Sequence, residues 1–85
     1  MGTMIRMPYK AKTVAEIWNF IEQRFADVGN CQFGTMRAIA HDAVSQLLEG
    51  NPLAASNGFM KLGADGERDM KNELRRLGIA FEPAT

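Results

Sequence analysis

The residue types that could do covalent chemistry are few in this chain, and they stand apart. Cys31 is its one cysteine and His41 its one histidine. A Cys–His pair is a minimal thiol nucleophile, because an adjacent imidazole turns the thiol into the reactive thiolate. Asp42 or Asp27 would then have to orient the imidazole. His41 and Asp42, however, are sequence neighbours and so point about 100° apart on a helix. No glycine-flanked nucleophile motif surrounds Cys31. His41 falls at the flank of an apolar helix face, where a histidine ordinarily marks a boundary. The expectation is a protein that is not an enzyme, with no catalytic residues.

Metal and nucleotide chemistry are also poorly supplied. One His and one Cys cannot complete a zinc tetrahedron, and no HxxxH or CxxC spacing occurs. Asp65-Gly66-Glu67-Arg68-Asp69 is acidic but lacks the alternating oxygen ligands and terminal Glu of a calcium loop. Gly63-Ala64-Asp65-Gly66 is not followed by Lys-Ser/Thr, so it is no phosphate-binding P-loop. No metal and no cofactor is expected.

Binding residues are better represented. Arg68, Lys71 and Arg75 recur at i, i+3 and i+7, nearly opposite the apolar Met70, Leu74 and Leu77. Asn72 and Arg76 border the same face. Such a basic stripe beside an amide suits a DNA-contacting helix, although Glu67, Asp69 and Glu73 on the same helix also suit a solvated face. Tyr9, Lys10 and Lys12 form a small basic arm able to face phosphate or carboxylate. Phe20 stands off the main apolar face of its helix and offers a second contact surface. A helix-turn-helix reading around Gly50 is poor, because Gln46 occupies a position that wants a small residue and only Lys61 is basic in the second helix.

These candidates sit in a chain of 85 residues whose ten basic and ten acidic residues cancel. Its 46% apolar content is too high for a disordered chain, and a sequence pI near 6.6 is not that of a general polyanion binder. The cancellation is regional. Residues 1–12 carry a charge of +3, residues 13–50 carry −3, and residues 51–85 are neutral. With a single cysteine no internal disulfide can form, so folding must rest on burial at a size that hides only about 60–65% of the chain's surface. No apolar run approaches the roughly 18 residues of a membrane span, and Arg6, Lys10 and Lys12 precede no signal-like apolar stretch. A cytoplasmic location and no membrane partner are expected.

The elements that must position these residues read as three to four short helices in one domain, 1–85, with residues 1–12 as a partly ordered basic arm. Thr13-Val14-Ala15-Glu16 matches a capping box, and Val14, Ile17, Trp18, Ile21, Phe25 and Val28 then recur on one helical face. Gly29-Asn30 supplies a stop. A second helix runs from about Thr35 to Gly50, lined by Met36, Ile39, Ala40, Ala43, Val44, Leu47 and Leu48. After Asn51-Pro52 the pattern divides, because Ser56-Asn57-Gly58 weakens a helix. One helix to Leu62, or a short helix followed by an extended Phe59–Leu62, fits equally. A last helix opens with Asp65 as N-cap and stops at Gly78. Residues 79–82 look strand-like and could pair with residues 4–7, or lie across the bundle as an apolar tail.

The functional expectation is a small regulator or inhibitor that binds a protein partner stoichiometrically, of the kind encoded by bacteria, phages or mobile elements. Phe20, Phe33, Phe59 and Phe81 are left over from the main stripes, and leftover aromatics at this size often serve an interface or a homodimer. An acidic face through Glu16, Glu22, Asp27, Asp42 and Glu49 is also available. The alternative is a DNA-binding regulator using the stripe of the last helix.

Overall fold

A computed structural model describes residues 9–26, 30–31 and 34–81. Among them, four helices follow in order: α1 (Ala11–Arg24), α2 (Met36–Leu48), α3 (Pro52–Met60) and α4 (Gly63–Leu77). Between α1 and α2 lies a two-stranded antiparallel ribbon, β1 (Asn30–Cys31) and β2 (Gly34–Thr35), with Asn30 opposite Thr35 and Cys31 opposite Gly34. The expected mainly helical domain is what the chain forms.

α1 starts two residues before the capping box, and no side chain caps it. Thr13 is already inside the helix, since the Val14 amide donates to the Lys10 carbonyl at 3.1 Å. The reason is tertiary. Tyr9 packs against the core, and its hydroxyl accepts a hydrogen bond from the Ala80 amide at 3.0 Å. That contact fixes where the chain enters the helix. α2 begins as its sequence suggests, with the Thr35 hydroxyl accepting from the Ala38 amide at 3.2 Å.

The ambiguous segment is one helix, running through Ser56-Asn57-Gly58. Gly58 is there for packing rather than for a turn. A Cβ on it would stand 2.7 Å from the Ala43 Cβ, so α3 lies against α2 closer than any side chain at that position permits. The helix propensity that Gly58 forfeits, about 1 kcal/mol, is offset by this approach. It brings Ala55 and Phe59 into the core with no exposed surface.

Asp65 is not the N-cap of the last helix. α4 begins at Gly63, two residues after Lys61 ends α3, and Asp65 falls in its first turn. A carboxylate there still faces the positive end of the helix dipole. The far end is as the sequence implies. Gly78 takes a left-handed φ of 75°, its amide donates to the Arg75 carbonyl, and the Ile79 amide donates to the Leu74 carbonyl at 2.9 Å. Buried Ile79 and Leu74 complete this glycine-ended cap.

α1 and α4 run antiparallel. Arg24, at the end of α1, bonds Asp69 in the first half of α4 at 2.8 Å, while Tyr9 before α1 meets Ala80 after α4. The core between the helices includes Ile17, Ile21, Phe25, Val44, Phe59, Met70 and Leu74, and among the described residues no polar one is buried. Ile79 and Phe81 are buried too, and residues 79–81 form no strand. They lie on the bundle as an apolar tail. Residues 4–7 and Glu82, the other half of the suggested pairing, lie outside the described residues, as do Asp27, Val28, Gly29 and Phe33.

Candidate binding surfaces

The Cys–His pair is not assembled by what the structure describes. The exposed His41 ring stacks on Trp18 of α1, with centroids 4.4 Å apart and planes at 19°. The Cys31 side chain lies outside the described residues. Next to the stack, Glu22, Arg37, Ala38, Asp42 and Ser45 border an open hollow of about 500 Å³. Arg37 donates to Glu22 across it at 3.2 Å. This seam ties α1 to α2 through an ion pair and a ring stack, and its charges largely satisfy one another. Among the described residues, no group of three His, Cys, Asp or Glu could hold a metal ion, and no helix is long and apolar enough to cross a membrane.

The basic stripe of α4 divides into two parts. In its first half the cations are tied to acids. Arg68 lies 3.3 Å from Asp65 and 3.4 Å from Asp69, and half-buried Lys71 bonds Glu67 at 2.8 Å. Asp69 is shared between Arg24 and Arg68. The hydrogen bond from Arg24 holds its carboxyl below the usual range, with the positive charges of Arg24 and Arg68 assisting and burial opposing. Arg76, in the last turn of α4, is paired with Glu73.

Arg75 differs. Its guanidinium lies 5.1 Å above the Phe81 ring and donates to the Asn72 side-chain oxygen at 3.0 Å. Among the described residues it has no carboxylate partner. Because α1 and α4 are antiparallel, Tyr9, Lys10 and Lys12 sit at this same end of the bundle. Lys10 and Lys12 are exposed. Beside the Arg75 guanidinium, Arg75, Gly78, Ile79, Ala80 and Phe81 border an open hollow of about 370 Å³. The start of α1, with Tyr9, Lys10 and Lys12, and the end of α4, with Arg75, thus share one end of the bundle through the Tyr9–Ala80 bond, whereas Arg68 and Lys71 lie earlier along α4.

The leftover aromatics are largely core. Phe59 is fully buried and Phe81 nearly so, because α3 is a helix throughout and the tail folds back on α4. Phe20 is half-buried at the α1–α4 seam, beside Glu16, Asn19, Gln23, Glu73 and Arg76.

The exposed apolar residues lie elsewhere. Leu53 and Met60 of α3 are 70% and 64% exposed, one above the other at i, i+7. Sequence reasoning missed them while the segment was divided between helix and strand. The signal was available, since Pro52–Met60 contains no ionisable residue. Such a helix has too few polar positions to cover its outer side.

Compared with known proteins, the chain matches no family model, no curated sequence and no solved structure. Any functional reading therefore rests on these surfaces.

Proposed function

We propose that this protein is a small non-enzymatic regulator that acts by stoichiometric binding to another protein. The observation that carries this reading is the outer side of α3. Leu53 and Met60 are the exposed large hydrophobics among the described residues, and they stand on a helix with no charge on any side. A nucleic acid gains nothing from such a surface, whose contacts supply no cation to a phosphate. An apolar, uncharged patch on a partner protein matches it, because neither side then has a charge to desolvate.

The test compares the wild type with a Leu53→Glu/Met60→Glu double variant in affinity capture from a lysate of the source organism. Reconstitution of the captured protein with the purified chain, under light scattering, follows. The expected result is a complex of defined stoichiometry that the double variant fails to form while keeping its helical circular dichroism. A wild type that forms no complex, or a complex indifferent to both substitutions, would overturn the reading.

A further inference from the structure

We infer that the end of the bundle formed by Tyr9, Lys10, Lys12 and Arg75 is a second contact site, which takes an acidic, partly apolar segment of the partner protein. The inference rests on the protein-binding reading and adds to it the chemistry of a separate surface. Its starting point is the uneven fate of the cations. Arg68, Lys71 and Arg76 spend their charge on Asp65, Asp69, Glu67 and Glu73 within their own helix. Arg75 meets only an amide and an aromatic face, and Lys10 and Lys12 stand exposed at the start of α1.

The geometry suits a carboxylate. The Phe81 ring holds the Arg75 guanidinium from one side by a cation–π contact and Asn72 takes one of its N–H groups. The fork is thereby oriented with donors to spare for a bidentate acceptor. The adjoining hollow is walled by Ile79, Ala80 and Phe81, so an apolar side chain next to the carboxylate has a surface to cover. Tyr9 holds the tail in place by accepting from the Ala80 amide, which ties residues 79–81 to the segment before α1.

A polynucleotide suits the site less well. Proteins that hold duplexes through their backbone use roughly 6–10 phosphate contacts, and this end offers three cations free of acidic partners among the described residues, Lys10, Lys12 and Arg75. Along the adjoining α1–α4 seam Arg76 lies with Glu16 and Glu73 and is paired with Glu73, so the unpaired cations do not continue there for a longer polyanion. A short acidic run ends before reaching that seam.

The experiment is fluorescence anisotropy with a labelled peptide alternating Glu and Leu, run beside one alternating Lys and Leu and beside random-sequence duplex DNA. The full chain should bind the acidic peptide, with affinity falling severalfold between about 50 and 200 mM salt. Lys10→Glu/Lys12→Glu and Arg75→Gln should each weaken binding by about tenfold, as expected when charge-assisted contacts are lost. Lys10 and Lys12 are exposed, so the lysine variant should keep the wild-type helical circular dichroism, which separates lost binding from unfolding. Tighter binding to duplex DNA than to the peptide would overturn the inference in favour of a nucleic-acid contact, and absence of binding to the acidic peptide would overturn it outright. If the captured partner is lost with Leu53→Glu/Met60→Glu but held undiminished by the lysine variant, protein binding stands and this second site falls.

Discussion

α3 and α4 are consecutive helices joined by a two-residue turn, and they are built on opposite terms. α4 carries eight charged residues, Asp65, Glu67, Arg68, Asp69, Lys71, Glu73, Arg75 and Arg76, yet much of that charge is consumed within the helix or by Arg24. α3 carries none, packs Gly58 closely on Ala43 of α2, and shows Leu53 and Met60 to water. The difference teaches that neither charge nor hydrophobicity reports a binding surface by its quantity. The proposed surfaces are instead the parts left over: exposed Leu53 and Met60 on one helix, and on the other Arg75, which among the described residues meets an amide and an aromatic ring but no carboxylate.

That contrast can be broken at several points. The largest effect is expected where both helices meet the core. Phe59→Ala in α3 should cost about 3–5 kcal/mol, because a fully buried ring leaves a cavity under both helices. Chemical denaturation would measure it, and a cost under about 1 kcal/mol would mean that α3 packs loosely. Gly58→Ala is the sharper probe. Ordinary propensity makes Ala the better helix residue by about 1 kcal/mol, but the 2.7 Å approach to Ala43 predicts net destabilisation of about 1–2 kcal/mol from overpacking. A stabilised variant would return Gly58 to the role of a turn residue.

Smaller effects test the charge side. Glu67→Gln should remove only a few tenths of a kcal/mol, the worth of an i, i+4 pair with Lys71. Asp69 contributes with a definite sign. Its folded pKa is depressed by Arg24, so its stabilisation is fully present above the ordinary carboxylate value of about 3.9 and is lost as pH falls through the lower folded value. Asp69→Asn should flatten the acid limb of a stability–pH curve, and an unchanged limb would show that the Arg24 bond is not made in solution. Smallest of all, Leu53→Ser/Met60→Ser should change stability by less than about 0.5 kcal/mol while weakening any complex made through α3. A large loss of stability would place these side chains in the core instead.

Much of the fold was legible from spacing. The apolar faces of α1, α2 and α4, the start of α2 near Thr35 and the Gly78 stop are local signals, each decided within a few residues by backbone geometry and hydrogen bonding. The misreadings share one cause. Thr13 and Asp65 are good caps in isolation, but Tyr9 and the tight turn at Gly63 start their helices earlier. Ser56-Asn57-Gly58 is a poor helix locally and a good one against Ala43. Among candidate binding residues, the pattern named Arg75, Lys10 and Lys12 together with Arg68, Lys71, Asn72 and Arg76. It could not divide the stripe, because pairing depends on where side chains reach, and for Arg24 and Asp69 the partner is 45 residues away.

The sequence by itself determined a helical, disulfide-free domain with a basic start and a charge-rich last helix, since composition and period act along the chain. Only the tertiary structure decided which charges remain unspent and which apolar side chains remain uncovered. Those are properties of neighbours in space, and they follow from the antiparallel docking of α1 on α4 and from the absence of a side chain on Gly58.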